Sequence, residues 1–204
     1  MKKAMVGLLL LMVCSLLVTG CSSSSQSTQP QPANAPVKGE ITMDDVNQME
    51  KAIFVEAIGW IYEHSPWISE KVYNKRPFAS KEELLSHMKQ AVESASEEEK
   101  LGLLRAYPDL GARVKMADAS VSEQKGAGLD QLNEEEYKDF LAMNKEYTEK
   151  FGFPFIIAVK GHNKDSIRAV MKERITNTKE QELSDALEQV YKISGFRLED
   201  TLKK

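Results

Sequence analysis

The chain has 204 residues, 42% of them hydrophobic and 28% charged, enough for one enclosed core with residues to spare. Its formal net charge is −4, and no stretch gathers Lys and Arg with aromatic residues between them, so nothing marks it for nucleic acid. Both cysteines, Cys14 and Cys21, lie near the N-terminus, which excludes disulfides and thiolate metal ligands from the folded body.

Lys2-Lys3, an apolar run from Met5 to Val18 and then small residues around a cysteine read as an export signal over residues 1–20. The run is too short and wrongly flanked for a membrane span. Leu17-Val18-Thr19-Gly20-Cys21 resembles a bacterial lipobox, in which cleavage before the cysteine leaves Cys21 to carry lipid. An ordinary signal peptide cut nearby, with Cys21 incidental, is the plainer alternative. Cleavage at the lipobox leaves 25 basic against 31 acidic residues, a net of −6. Acyl chains rather than charge would then hold the exported domain at the outer face of the bacterial membrane. Residues 21–40 follow as a Ser-, Gln- and Pro-rich tether with too little apolar surface to offset the entropy of ordering. The folded domain is expected over 41–204.

From Ile41 the pattern is helical. Thr42 can cap a short helix over 43–49, and 52–64 carries Ile53, Phe54, Ala57, Ile58 and Ile61 at core spacing before Pro66 restarts the chain. Ser80, Ser96, Asn133 and Thr178 each stand three residues before Glu83, Glu99, Glu136 and Gln181, the spacing of a capping box. The last helix shows Leu183, Ala186, Leu187, Val190 and Ile193 on one stripe. The expectation is an all-α fold, a single helical-bundle domain.

Chemistry-bearing side chains are densest over 105–129. Tyr107-Pro108-Asp109-Leu110-Gly111 reads as a helix stop and turn, because the residue before proline is pushed out of the α region. A helix beginning near Asp118 puts Ser120, Glu123 and Gln124 on one face, although a capped, solvated helix start explains the same pattern. Phe151 to Gly161 resists a helix. It is apolar throughout, contains Pro154, and reads as a buried extended segment whose backbone groups need partners from side chains, water or a ligand.

Glu63-His64-Ser65-Pro66-Trp67-Ile68, Arg76-Pro77-Phe78, Pro108-Asp109-Leu110-Gly111, Ser120-x-x-Glu123-Gln124-x-Gly-Ala-Gly-Leu129, Phe151-Gly-Phe-Pro-Phe-Ile156 and Phe196-Arg197-Leu198 occur together and in order. With them the chain resembles the OHCU decarboxylase family, whose members convert 2-oxo-4-hydroxy-4-carboxy-5-ureidoimidazoline to (S)-allantoin in urate degradation. The resemblance covers about residues 42 to 202. It implies an all-α bundle, no cofactor, a ureidoimidazoline as small-molecule partner and a homodimer. It also implies that Glu123 is catalytic and that Pro108, Ser120, Gln124, Phe155, Ile156, Ile157 and Arg197 contact substrate.

One position departs from the pattern. Where the resemblance implies an acid/base histidine, this chain has Tyr107. A phenol donates a proton at neutral pH but rarely accepts one, whereas an imidazole does both. His64 and the other two histidines, His87 and His162, are too scattered to suggest a metal site. Three readings stay open at this level: a lipid-anchored decarboxylase, a ureide-binding module without turnover, and a structural surface lipoprotein.

Overall fold

Helix starts follow the capping residues. The computed structural model describes residues 41–203; the expected signal peptide, Cys21, the tether and Lys204 lie outside the described residues. The helices are α1 (Met43–Gln48), α2 (Lys51–Gly59), α3 (Trp67–Val72), α4 (Lys81–Glu93), α5 (Glu97–Arg105), α6 (Asp118–Gly126), α7 (Glu134–Phe151), α8 (Lys164–Arg174) and α9 (Lys179–Thr201). All four expected caps are in place at α4, α5, α7 and α9. Ser96 and Asn133 complete reciprocal boxes with Glu99 and Glu136. At α4 the Glu83 carboxylate takes the Ala79 N–H instead of that of Ser80. Two further boxes, Thr42 with Asp45 and Asn163 with Ser166, use Asp and Ser where the usual pattern has Glu or Gln.

The expected helix over 52–64 ends early. After Gly59 the chain tightens into a 3₁₀ turn over Trp60–Tyr62, and Glu63 leaves it at φ 52°. Gly59 permits the close approach of α3: a Cβ there would sit 3.1 Å from Ser69 Oγ. The sharp exit places His64 outside any helix and turns Glu63 inward.

The core is built around α9, which packs against α4, α5, α7 and the 3₁₀ turn. Ala186, Val190 and Leu198 are fully buried, while Leu183 and Leu187 are half-buried at its margin. Each fully buried Val or Leu contributes about 1.5–3 kcal/mol. No strand occurs among the described residues; a single parallel bridge joins Ile41 to Leu202, and Lys203 N–H donates to the Ile41 carbonyl at 2.8 Å. The all-α expectation holds. No helix among the described residues is long and apolar enough to cross a membrane.

The expected extended segment lies between α7 and α8, with Phe153 to Val159 buried. Side chains serve its backbone. Arg174 Nη1 donates to the Ile156 carbonyl at 2.7 Å, and the Ala158 N–H donates to Gln189 Oε1 at 3.2 Å. Arg174 is held in turn by Glu182, a wholly buried carboxylate that also accepts from the Tyr147 hydroxyl and, at 2.8 Å, from Asn177 Nδ2.

Candidate active site

Four stretches converge: the turn after α5, the inner face of α6, the extended segment and the C-terminal part of α9. After α5 the chain turns at Tyr107, whose N–H donates to the Leu104 carbonyl at 3.2 Å. The loop then reverses at Gly111, φ 70°, a conformation that favours glycine, and a Cβ there would press Leu132 Cδ1 at 2.8 Å. Two side chains clamp this loop. Asn144 Nδ2 donates to the Leu110 carbonyl at 2.8 Å, and Gln124 Oε1 accepts the Gly111 N–H at 2.9 Å.

On α6 the i, i+3, i+4 spacing does what the sequence suggests: Ser120, Glu123 and Gln124 share one face, which meets α9 and the loop. Their uses differ. Gln124 lines the cavity, but its amide oxygen serves the loop, so it shapes the wall more than it offers a free group. Glu123 is a third exposed and forms a two-pronged pair with Arg197, Nε to Oε1 and Nη2 to Oε2, both at 2.8 Å. Arg197, which its place near the C-terminus could have left on the surface, is 3% exposed. It donates further to Glu63 Oε1 at 2.8 Å, to Ser120 Oγ at 3.1 Å and to the Ile61 carbonyl at 3.3 Å.

Tyr107, Pro108, Ser120, Glu123, Gln124, Phe155, Ile156, Ile157 and Arg197, the residues expected from sequence, all line one cavity of about 330 Å³ together with Leu110, Val159 and Ile193. Glu123, Val159, Ile193 and Arg197 also line a second depression, which bears Lys160, Phe196 and Asp200.

Electrostatics separate the two titratable groups facing each other. Burial raises the Tyr107 phenol above its ordinary range, the nearby Arg197 charge only partly offsetting it, so Tyr107 stays protonated. Its hydroxyl is buried with no hydrogen-bond partner among the described residues, and its ring lies 5.8 Å from the Arg197 guanidinium. Burial works against the charge on Arg197, but the bond to Glu123 and the nearby Glu63 outweigh it and keep the guanidinium cationic. The arrangement offers a proton donor, a fixed cation and a partly exposed carboxylate against an apolar wall. Among the described residues no three His, Cys, Asp or Glu side chains are grouped to hold a metal.

Sequence reasoning missed Glu63. It stands in the Glu-His-Ser-Pro-Trp stretch, where attention goes to His64; the structure leaves His64 exposed on a different depression, with Trp60 and Asp118.

A model of the family described as OHCU decarboxylase matches residues 47–199, from the end of α1 through nearly all of α9. The chain belongs to the OHCU decarboxylase family. It is 48% identical over 159 residues to the 2-oxo-4-hydroxy-4-carboxy-5-ureidoimidazoline decarboxylase of Haloferax volcanii, covering 78% of this chain and 95% of that protein. It is also 42% identical to the uric acid degradation bifunctional protein PucL of Bacillus subtilis, covering 79% of this chain and 33% of that protein. Among solved structures it resembles an (S)-allantoin synthase, with a TM-score of 0.66 at 31% identity; the match covers 80% of this chain and about half, 54%, of that one. The stretch matched to the OHCU decarboxylase family contains every residue of the cavity.

Proposed function

We propose that this protein is a carboxy-lyase that decarboxylates 2-oxo-4-hydroxy-4-carboxy-5-ureidoimidazoline to (S)-allantoin, a step of urate degradation. The carrying observation is a small, largely apolar cavity in which Arg197, Glu123, Ser120 and the Tyr107 phenol converge, in a chain of the OHCU decarboxylase family. The relatives' names supply the substrate and the pathway.

In that substrate the carboxylate and a hydroxyl share ring carbon C4, and the neighbouring C5 is double-bonded to a ring nitrogen. When the C4–carboxylate bond breaks, its electron pair forms the C4–C5 double bond. The C5–N pair moves to nitrogen, which takes a proton. The resulting enol loses its O–H proton and gains one at C5, giving the C4 ketone of allantoin, so one proton is consumed in all. Arg197 receives the anionic substrate. Tyr107, protonated and unpartnered, is the donor. Glu123, the solvent-linked carboxylate beside the guanidinium, passes protons between solvent and site, a net of one inward per turnover, and crowds the substrate carboxylate towards loss of CO₂. The wall of Phe155, Ile156 and Ile157 excludes water, so these charges act in a low dielectric.

The decisive experiment follows freshly made substrate by circular dichroism. Appearance of (S)-allantoin faster than the uncatalysed background supports the reading. Ureide binding without turnover would leave a binding module in its place.

We infer from the lipobox-like Leu17 to Cys21 that the protein is exported, acylated at Cys21 and anchored at the outer face of the bacterial membrane. Metabolic labelling with a fatty-acid analogue should mark the native chain and not Cys21→Ala; equal labelling of both would reject the anchor. The family resemblance further supports a homodimer. Exposed Val114 and Val121, which line one surface depression, offer apolar area for it, and a monomer by sedimentation at tens of micromolar would count against pairing.

A further inference from the structure

Glu63 does not line the cavity; from the exit of the 3₁₀ turn it reaches Ser120 and Arg197, which do, and lies 134 residues from Arg197 in sequence. It is the one non-glycine residue with positive φ among those described, at φ 52° and ψ −127°. Holding a residue there is strained and is sustained where the surrounding structure demands it. Two bonds make that demand. One oxygen, Oε1, accepts from the Ser120 hydroxyl and from Arg197 Nη2 at 2.8 Å. The Glu63 side chain is 1% exposed, against 33% for Glu123. Of the two carboxylates on Arg197, Glu123 is therefore the one with room to leave.

We propose that Glu63 is a positioning residue for the decarboxylation, an inference that rests on the function given above. It anchors Arg197 when Glu123 yields its place on the guanidinium to the substrate carboxylate. It also draws the Ser120 proton away from the cavity, so Ser120 meets the substrate as a hydrogen-bond acceptor for an N–H or O–H. Glu63, Glu123 and Arg197 together carry a formal charge of −1, which opposes the substrate carboxylate in the ground state and is relieved as CO₂ departs.

Glu63→Gln keeps the size and removes the charge. The expected result is a kcat at least tenfold lower with KM also lowered, because ground-state repulsion and transition-state orientation are lost together. Adding Ser120→Ala should cost far less in the Glu63→Gln background than in the native chain. A kcat within twofold of native, a raised KM, or strictly additive losses would overturn the proposal. Glu63→Gly accepts the positive φ without strain and removes the same carboxylate, so it guards against a folding defect and should show the same loss of kcat. A second readout needs no turnover. In nitrogen NMR of the substrate-free Glu123→Ala variant, where the guanidinium lacks its other carboxylate, the Arg197 Nη groups should be resolved and slowly rotating, and averaged once Glu63→Gln is added. Equal restriction in both refutes the anchoring role. An inactive native chain with that NMR difference instead refutes the decarboxylase reading and leaves Glu63 as the anchor of Arg197.

Discussion

Replacing Tyr107 with phenylalanine is expected to lower kcat by roughly 10²–10⁴-fold with KM little changed, since the phenol contributes only as a proton moves. Burial keeps that hydroxyl protonated, and it has no partner among the described residues to compete with the substrate for it. The same burial fixes the pH dependence. A donor whose pKa lies above its ordinary range stays competent from acid to well past neutral, and the native profile should show no limb from Tyr107 near pH 7. Tyr107→His places a group of ordinary pKa near 6.5 on the same wall, able to give and take a proton. Its kcat is expected to exceed the native value by about 10²-fold, with a new limb near neutral pH. Unchanged kcat in both variants would show that another group transfers the proton.

The second large effect is on stability. Glu182→Ala is expected to destabilise the fold by about 3–5 kcal/mol in urea unfolding, because Arg174 is left buried without its counter-charge. That is a large share of the ~5–15 kcal/mol that holds a typical domain together. Replacing both partners, Arg174→Met with Glu182→Leu, should recover much of the loss, as apolar residues remove the desolvation cost along with the attraction. Activity should not recover with it. The Ile156 carbonyl would lack the Arg174 donor that sets the cavity wall. Full activity in the double variant would mean that the wall is positioned by packing alone.

Much of this molecule was legible because the deciding interactions are short in sequence. A capping box spans three residues, so Ser80, Ser96, Asn133 and Thr178 announced four helix starts. Helical periodicity put Ser120 and Glu123 on one face, and the stripe on α9 marked its buried side. The boxes at Thr42 and Asn163 were harder to see as pairs because Asp45 and Ser166 fill the role usually taken by Glu or Gln.

What only the tertiary structure decided are the contacts whose partners lie far apart in the chain. Nothing local to Arg197 says that it is buried between Glu63 and Glu123, nor that Arg174 rather than a ligand satisfies the Ile156 carbonyl. Gln124 has the spacing of a substrate contact, yet Gly111 takes its amide oxygen once the loop closes. The physical reason is the same in each case. Caps and periodicity are set by backbone geometry within a turn or two, whereas the partner of a buried charge is set by which helices pack together. Burial then makes an unpaired charge costly enough that a partner must be found.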